Sequence, residues 1–172
     1  GIQLAKAYGC KSFVTAGSKE KIDFCINLGA EAGEVRTEDI FSEIKKWAPE
    51  GVNIILDPVG ANYLENNLSV LGTEGRLVII GLMGGGVANL NLGHLMIKRQ
   101  KIIGSTIRAR SIEAKNLVMK NIETEVLPLF EAGEIKPIIH EILPFSESER
   151  AHEIMEANEN IGKIIPVSYT HL

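Results

Sequence analysis

Val52-Asn53-Ile54-Ile55-Leu56-Asp57-Pro58-Val59-Gly60 and, further on, Arg76-Leu77-Val78-Ile79-Ile80-Gly81 are the two runs on which the fold turns. Each is rich in β-branched residues and each stops at a proline or a glycine. Neither alternates apolar with polar residues. A strand with one wetted face alternates, whereas a strand covered on both faces does not, so such runs point to a parallel sheet flanked by helices. Asn62 to Leu71, between them, reads as a helix. Strand, helix and strand then repeat outward in both directions, which makes the class α/β.

Upstream, Ser12 to Ala16 reads as a short buried strand. A helix follows from Lys19 to Leu28, with Ser18 as its N-cap and Gly29 ending it. Thr37 to Trp47 is an amphipathic helix stopped by Pro49 and Gly51. Gly1 to Gly9 has the spacing of the back of a helix and no cap before it, so that helix is expected to begin ahead of residue 1. Downstream, residues 101–107 form another strand, and a long helix runs from Ser111 to Ala132 with Pro128 kinking its last turns. Beyond Gly133 the character changes. Ile138 to Leu143 is a strand, Ser146-Glu147-Ser148-Glu149 is a capping box opening a helix, and Gly162 to Val167 is a final strand. These last elements have no evident place in the parallel sheet.

The 172 residues suffice for one ordinary domain. Hydrophobic residues make up 45% and charged residues 23%, the balance of a globular chain. The net charge of −4, with acids and bases interspersed, argues against nucleic acid as the partner, which needs a concentrated basic face. No apolar run approaches the ~20 residues that span a bilayer. Cys10 and Cys25 show no CxxC pairing, and His94, His140, His152 and His171 share no spacing. Neither a disulfide framework nor a metal site is expected, and reduced cysteines fit a cytoplasmic protein. No Ser-His-Asp arrangement stands out, and no catalytic residue is assigned.

Five phrases occur in order: Ile2-Gln3-Leu4-Ala5-Lys6, Leu56-Asp57-Pro58-Val59-Gly60, Gly75-Arg76-Leu77-Val78, Gly81-Leu82-Met83-Gly84-Gly85-Gly86 and Asn160-Ile161-Gly162-Lys163-Ile164. Together they resemble the cofactor domain of medium-chain dehydrogenases/reductases, in the zinc-free quinone oxidoreductase (zeta-crystallin-like) branch. Thr15-Ala16-Gly17-Ser18, with Gly-Leu-Met-Gly-Gly-Gly and Arg108-Ala109-Arg110, looks most like the tumour-suppressor-induced quinone oxidoreductases and their bacterial relatives. The resemblance implies a Rossmann-like doubly wound parallel sheet lacking its first strand, followed by a strand-helix-strand that belongs to a catalytic domain outside this chain. Residues 1–133 are then the nucleotide-binding part, 134–167 the return segment, and 168–172 a tail that matches nothing in the family. In the strand order 3-2-1-4-5-6 the absent strand is central, so the chain alone is expected to be marginally stable or prone to aggregate.

The resemblance also implies chemistry. NAD enzymes place an acid after the second strand, where it bonds the ribose 2′-OH and would repel the extra phosphate of NADP. This chain has Ala16-Gly17-Ser18-Lys19-Glu20-Lys21 instead. Gly17 lets the backbone come close, Ser18 can donate a hydrogen bond, and Lys21 brings positive charge to a helix N-terminus. Arg36 could stack on the adenine or reach the phosphate. The same residues also read as a capped helix with solvated cations. Val59, Gly60, Leu82 and Met83 are expected to line the nicotinamide side, in loops that otherwise read as two tight turns. Asn158 and Lys163 flank a turn that comes back towards the cofactor, or else form a helix end and a surface lysine. Thr106, Arg108 and Arg110 lie near the interdomain cleft, and solvated arginines are preferred there. The implied activity is hydride transfer from NADPH to a quinone or enone, in a homodimer joined through strand 101–107. The alternatives are an enoyl or alkenal reductase of the same superfamily and a non-catalytic cofactor-binding or dimerisation module.

Overall fold

The computed structural model describes residues 1–36 and 39–168. Helix α1 (Ile2–Ala7) leads into strand β1 (Phe13–Ala16), helix α2 (Lys19–Asn27) and strand β2 (Ala32–Val35). β1 and β2 pair in parallel, from Phe13 opposite Ala32 to Ala16 opposite Val35. Ser18 caps α2 as expected, its Oγ accepting from Lys21 N at 3.3 Å. β2 was not anticipated, because Ala-Gly-Glu-Val is short and carries no apolar run.

Helix α3 (Ile40–Trp47) buries Ile40 and joins two parts of the molecule. Trp47 packs on Phe13 of β1 with ring centroids 5.6 Å apart. Phe41 meets Tyr63 edge-on at 5.4 Å. Tyr63 closes a single 3-10 turn (Ala61–Tyr63) that opens helix α4 (Leu64–Val70). Thr37, the expected helix start, lies outside the described residues.

Strands β3 (Val52–Asp57), β4 (Leu71–Ile79) and β5 (Lys101–Gly104) form a parallel sheet in the order β3-β4-β5. One face packs on α4 through a cluster of Leu68, Leu71 and Leu77, with Ile55, Leu64, Leu90 and Ile102 around it, and helix α5 (Leu92–Ile97) lies against α4. The last carbonyls of α4 are capped from a distance. Gln100 Nε2 donates to Leu68 O and Leu71 O, and Lys98 Nζ donates to Ser69 O and Leu71 O. The opposite face departs from the expectation of full burial, since Ile54 and Leu56 are 55% and 60% exposed. β3 is an edge strand with a hydrogen-bonded neighbour on the β4 side alone. Its side chains on that face therefore lack the neighbours that a central strand provides.

The class and the parallel pairing match the sequence reading, and so does the break in the sheet. β2-β1 and β3-β4-β5 are separate hydrogen-bonded sheets among the described residues, as a doubly wound sheet without its central strand requires. Four local expectations are corrected. β5 ends at Gly104 rather than at residue 107; Ser105 N still donates to Ile79 O at 2.9 Å, and residues 107–110 form a turn. The long helix is two, α6 (Ile112–Glu125) and α7 (Leu127–Glu131), broken at Val126. Pro128 has no N–H to give to the carbonyl four residues back and crowds it, so it starts a new helix instead of kinking the old one. Helix α5 was missed; it is short, and Asn91 caps it by accepting from Gly93 N and His94 N. The expected capping box does not form. A 3-10 turn (Phe145–Glu147) comes first, and helix α8 (Ser148–Glu156) has no side-chain N-cap.

Strands β6 (Ile139–Pro144) and β7 (Lys163–Val167) flank α8 and pair in parallel as a sheet of their own. Arg150 of α8 bridges Glu141 and Glu147. α1 is held against the start of this segment, where the Gln3 amide donates to Lys136 O at 2.8 Å and accepts from Lys136 N at 2.9 Å. Among the described residues no helix is long and apolar enough to cross a membrane.

Candidate cofactor site

Two clusters of the anticipated residues form at the carboxyl ends of the parallel strands, the edge where open α/β sheets take their ligands. The first lies where β1 and β2 end. Arg36 N donates to Ala16 O at 2.8 Å, which carries the start of the next loop alongside Gly17. The Arg36 guanidinium lies over bare backbone, since a Cβ on Gly17 would sit 3.5 Å from its Nη2. Ser18 Oγ spends a lone pair on the helix cap, which leaves its hydroxyl proton to donate. Lys21 is half-buried, and its Nζ donates to the main-chain carbonyl of Asn158. Gly17, Ser18, Lys21, Arg36 and Asn158 are therefore neighbours.

Asn158 follows α8 with φ of 56°, a left-handed position that asparagine tolerates well. Lys163 is exposed at the start of β7, where its N–H donates to Ile138 O at 2.9 Å. Among the described residues its ammonium makes no hydrogen bond or ion pair with the cluster.

The second cluster joins the loop after β3 to the loop after β4. Ile80 N donates to Asp57 O (2.8 Å), Met83 N to Pro58 O (3.2 Å), Gly84 N to Val59 O (2.7 Å) and Ala61 N to Gly85 O (2.9 Å). Gly60 has φ of +82°, and a Cβ there would lie 2.8 Å from Gly85 O. A Cβ on Gly81 would lie 2.7 Å from Pro58 O, so neither glycine has room for a side chain. Val59 and Gly60 are packed inward, whereas Leu82 and Met83 are 59% and 81% exposed. The result is a closed double loop that presents two apolar side chains.

Sequence reasoning missed the residue that anchors this loop. Asp57 is 2% exposed. Its Oδ1 accepts from Val59 N at 2.7 Å, and its Oδ2 accepts from Gly60 N and from the buried Asn67 Nδ2, both at 3.1 Å. The available signal was an acid closing an apolar strand with an asparagine ten positions on, inside the next helix.

Elsewhere, Thr106, Arg108 and Arg110 are exposed and engage their own turn, with Arg110 Nε on Thr106 O and Lys115 Nζ on Arg108 O. Cys10 is exposed, and burial pushes the Cys25 thiol above its ordinary pKa. Among the described residues no three His, Cys, Asp or Glu side chains gather as a metal site.

The sequence profile of the zinc-binding dehydrogenases matches residues 1–124. The chain belongs to this family, one of the medium-chain dehydrogenases/reductases. Its relatives in the family include the quinone oxidoreductase of Homo sapiens, 30% identical over 166 residues, with 95% of this chain and 49% of the relative covered. The acryloyl-coenzyme A reductase of Sulfurisphaera tokodaii is 29% identical over 165 residues, covering 95% of this chain and 45% of the relative. Among solved structures, Escherichia coli quinone oxidoreductase complexed with NADPH superimposes with a TM-score of 0.78 at 27% identity, over 96% of this chain and 52% of that one. The chain spans about half the length of the curated relatives it matches.

Proposed function

We propose that residues 1–133 are the nucleotide-binding part of an oxidoreductase that reduces a quinone or conjugated carbonyl with NADPH. Residues 134–167 then return the chain to a catalytic domain, and 168–172 are a tail. The observation that carries this reading is the cluster of Ser18, Lys21 and Arg36 beside the bare backbone of Gly17, with no acid in the β1–α2 turn. Two cations and a hydroxyl proton beside the side-chain-free backbone of Gly17 suit a 2′-phosphate. A carboxylate at the same place would suit the free hydroxyl of NADH. The exposed apolar surface of Leu82 and Met83, beside Val59 and Gly60, suits the uncharged nicotinamide end. Asn158 closes the site from the return segment, its carbonyl accepting from Lys21 Nζ, and Lys163 is assigned to the cofactor from the same segment by the family resemblance alone.

NADPH, when bound, supplies the hydride, and the residues of this chain bind and orient it. The acceptor is already electrophilic, so the reaction is zinc-free. The reading further assigns a homodimer paired through the edge of β5 (Lys101–Gly104), within the segment 101–107, and a cytoplasmic location. The quinone oxidoreductase relatives and the NADPH-complexed neighbour support the choice of cofactor and of acceptor class.

The test is titration of the full-length protein with NADPH and NADH, with Lys21→Ala alongside. The wild type is expected to prefer NADPH, and the substitution to weaken NADPH binding about tenfold or more while sparing NADH, the loss of one charge-assisted hydrogen bond. Equal binding of both cofactors by the wild type would overturn the phosphate site. The acryloyl-coenzyme A reductase relative favours one second reading, an enoyl-type reductase on the same cofactor site. Turnover of an acryloyl thioester in preference to a quinone would select it.

A further inference from the structure

We propose that Asp57 and Asn67 are a positioning pair for the nicotinamide end of the cofactor, a role that rests on the NADPH reading above. A carboxylate 2% exposed is costly to bury unless hydrogen bonds satisfy it. What this carboxylate does cannot be done by a smaller polar group. Its two oxygens accept at once from two consecutive loop amides, Val59 N and Gly60 N, and from the Asn67 side chain. Asn67 is itself buried in α4, so its amide ties Oδ2 to the helix under the sheet.

The consequence spreads by hydrogen bonds. Once the peptides of Val59 and Gly60 are fixed, Val59 O receives Gly84 N and Pro58 O receives Met83 N. One side chain thereby sets the path of both loops, and with it the placement of Leu82 and Met83. Asp57 touches no ligand-facing surface itself; it acts through the loops, and Asn67 acts through Asp57.

The experiment compares wild type, Asp57→Asn and the swap Asp57→Asn/Asn67→Asp in the full-length protein. The probes are NADPH, NADH and 2′,5′-ADP, which carries the phosphate end without a nicotinamide. Asp57→Asn is expected to weaken NADPH about tenfold, to lower kcat, and to leave 2′,5′-ADP within about twofold. The swap remakes the 57–67 hydrogen bond with donor and acceptor exchanged, yet leaves one loop amide without its acceptor. It is therefore expected to stay weak for NADPH. Full recovery in the swap would overturn the proposal, because the pair would then serve only to join β3 to α4. An equal loss of 2′,5′-ADP binding would overturn it too, as a general structural effect. Amide hydrogen exchange on the wild type needs no variant to fold: Val59, Gly60 and Gly84 are expected to be protected without cofactor, and fast exchange there overturns the pair's role. A wild type that binds neither NADPH nor NADH overturns the functional reading and this role with it. One that binds either, with Asp57→Asn without effect, overturns this inference alone.

Discussion

In the loop after β3, the N–H groups of Val59, Gly60 and Ala61 all have partners, and Asp57 supplies two of them. The loop after β1 works through side chains instead: the hydroxyl of Ser18, the ammonium of Lys21 and the exposed guanidinium of Arg36. The same strand-turn-helix unit has thus been finished in two ways. A backbone-built surface is rigid and uncharged, which suits a flat ring that must be held at one distance. A side-chain-built surface carries charge and adjusts to a mobile anion. The contrast follows from the packing behind each loop. The three-stranded sheet has a cluster of Leu68, Leu71 and Leu77 behind it, whereas β1 and β2 form a two-stranded sheet with Ile22 of α2 against Gly33 of β2.

The strongest attempt to break this comparison removes the support of one loop only. Leu77→Ala is expected to destabilise by ~2–5 kcal/mol through lost burial and a residual cavity, read from the denaturation midpoint. Hydrogen exchange in the same variant should speed up at 59–61 and 81–85 more than at 17–36. Equal acceleration would show that the two loops share one support. A smaller effect is expected from Ser18→Ala, ~0.5–2 kcal/mol for the lost α2 cap. It should weaken NADPH and 2′,5′-ADP alike, the reverse of the pattern expected of Asp57→Asn.

The smallest effect is a control outside both loops. The backbone N–H of Glu113 and the hydroxyl of Ser111 hold the Glu113 carboxyl below its ordinary pKa. Its contribution to α6 is present above the ordinary carboxylate value and is lost as pH falls through the lowered one. Acid titration of the helix signal should show slight fraying in that window, Glu113→Gln should flatten it, and neither loop should respond.

Much of this was legible in the sequence. The runs at 52–57 and 76–81 specified parallel strands because β-branched, unalternated residues suit little else, and Ser18 announced its helix because capping is local. What stayed hidden depends on contacts between distant segments. β2 exists because Ala32–Val35 finds β1, not because the peptide prefers to be extended. α5 is too short for a period to show. The Lys21–Asn158 and Asp57–Asn67 contacts, spanning 137 and 10 positions, are products of topology. Pro128 was visible, but whether it bends a helix or divides it depends on what the freed carbonyls meet.

The paired hydrogen bonds between Gln3 and Lys136 join positions 133 residues apart. The entropy lost in closing a loop rises with its length, so this clasp is costlier to form than any neighbouring strand-helix-strand unit. Each local unit closes over a few tens of residues at most and has a core or a pairing of its own to reward it. Among the described residues the clasp is made by these two amide hydrogen bonds, with the Tyr8 hydroxyl donating to Glu125 O beside it. The local units are therefore expected to close before the contacts that span the chain, Gln3–Lys136 and Lys21–Asn158 alike, and pulsed hydrogen exchange during refolding would check that order.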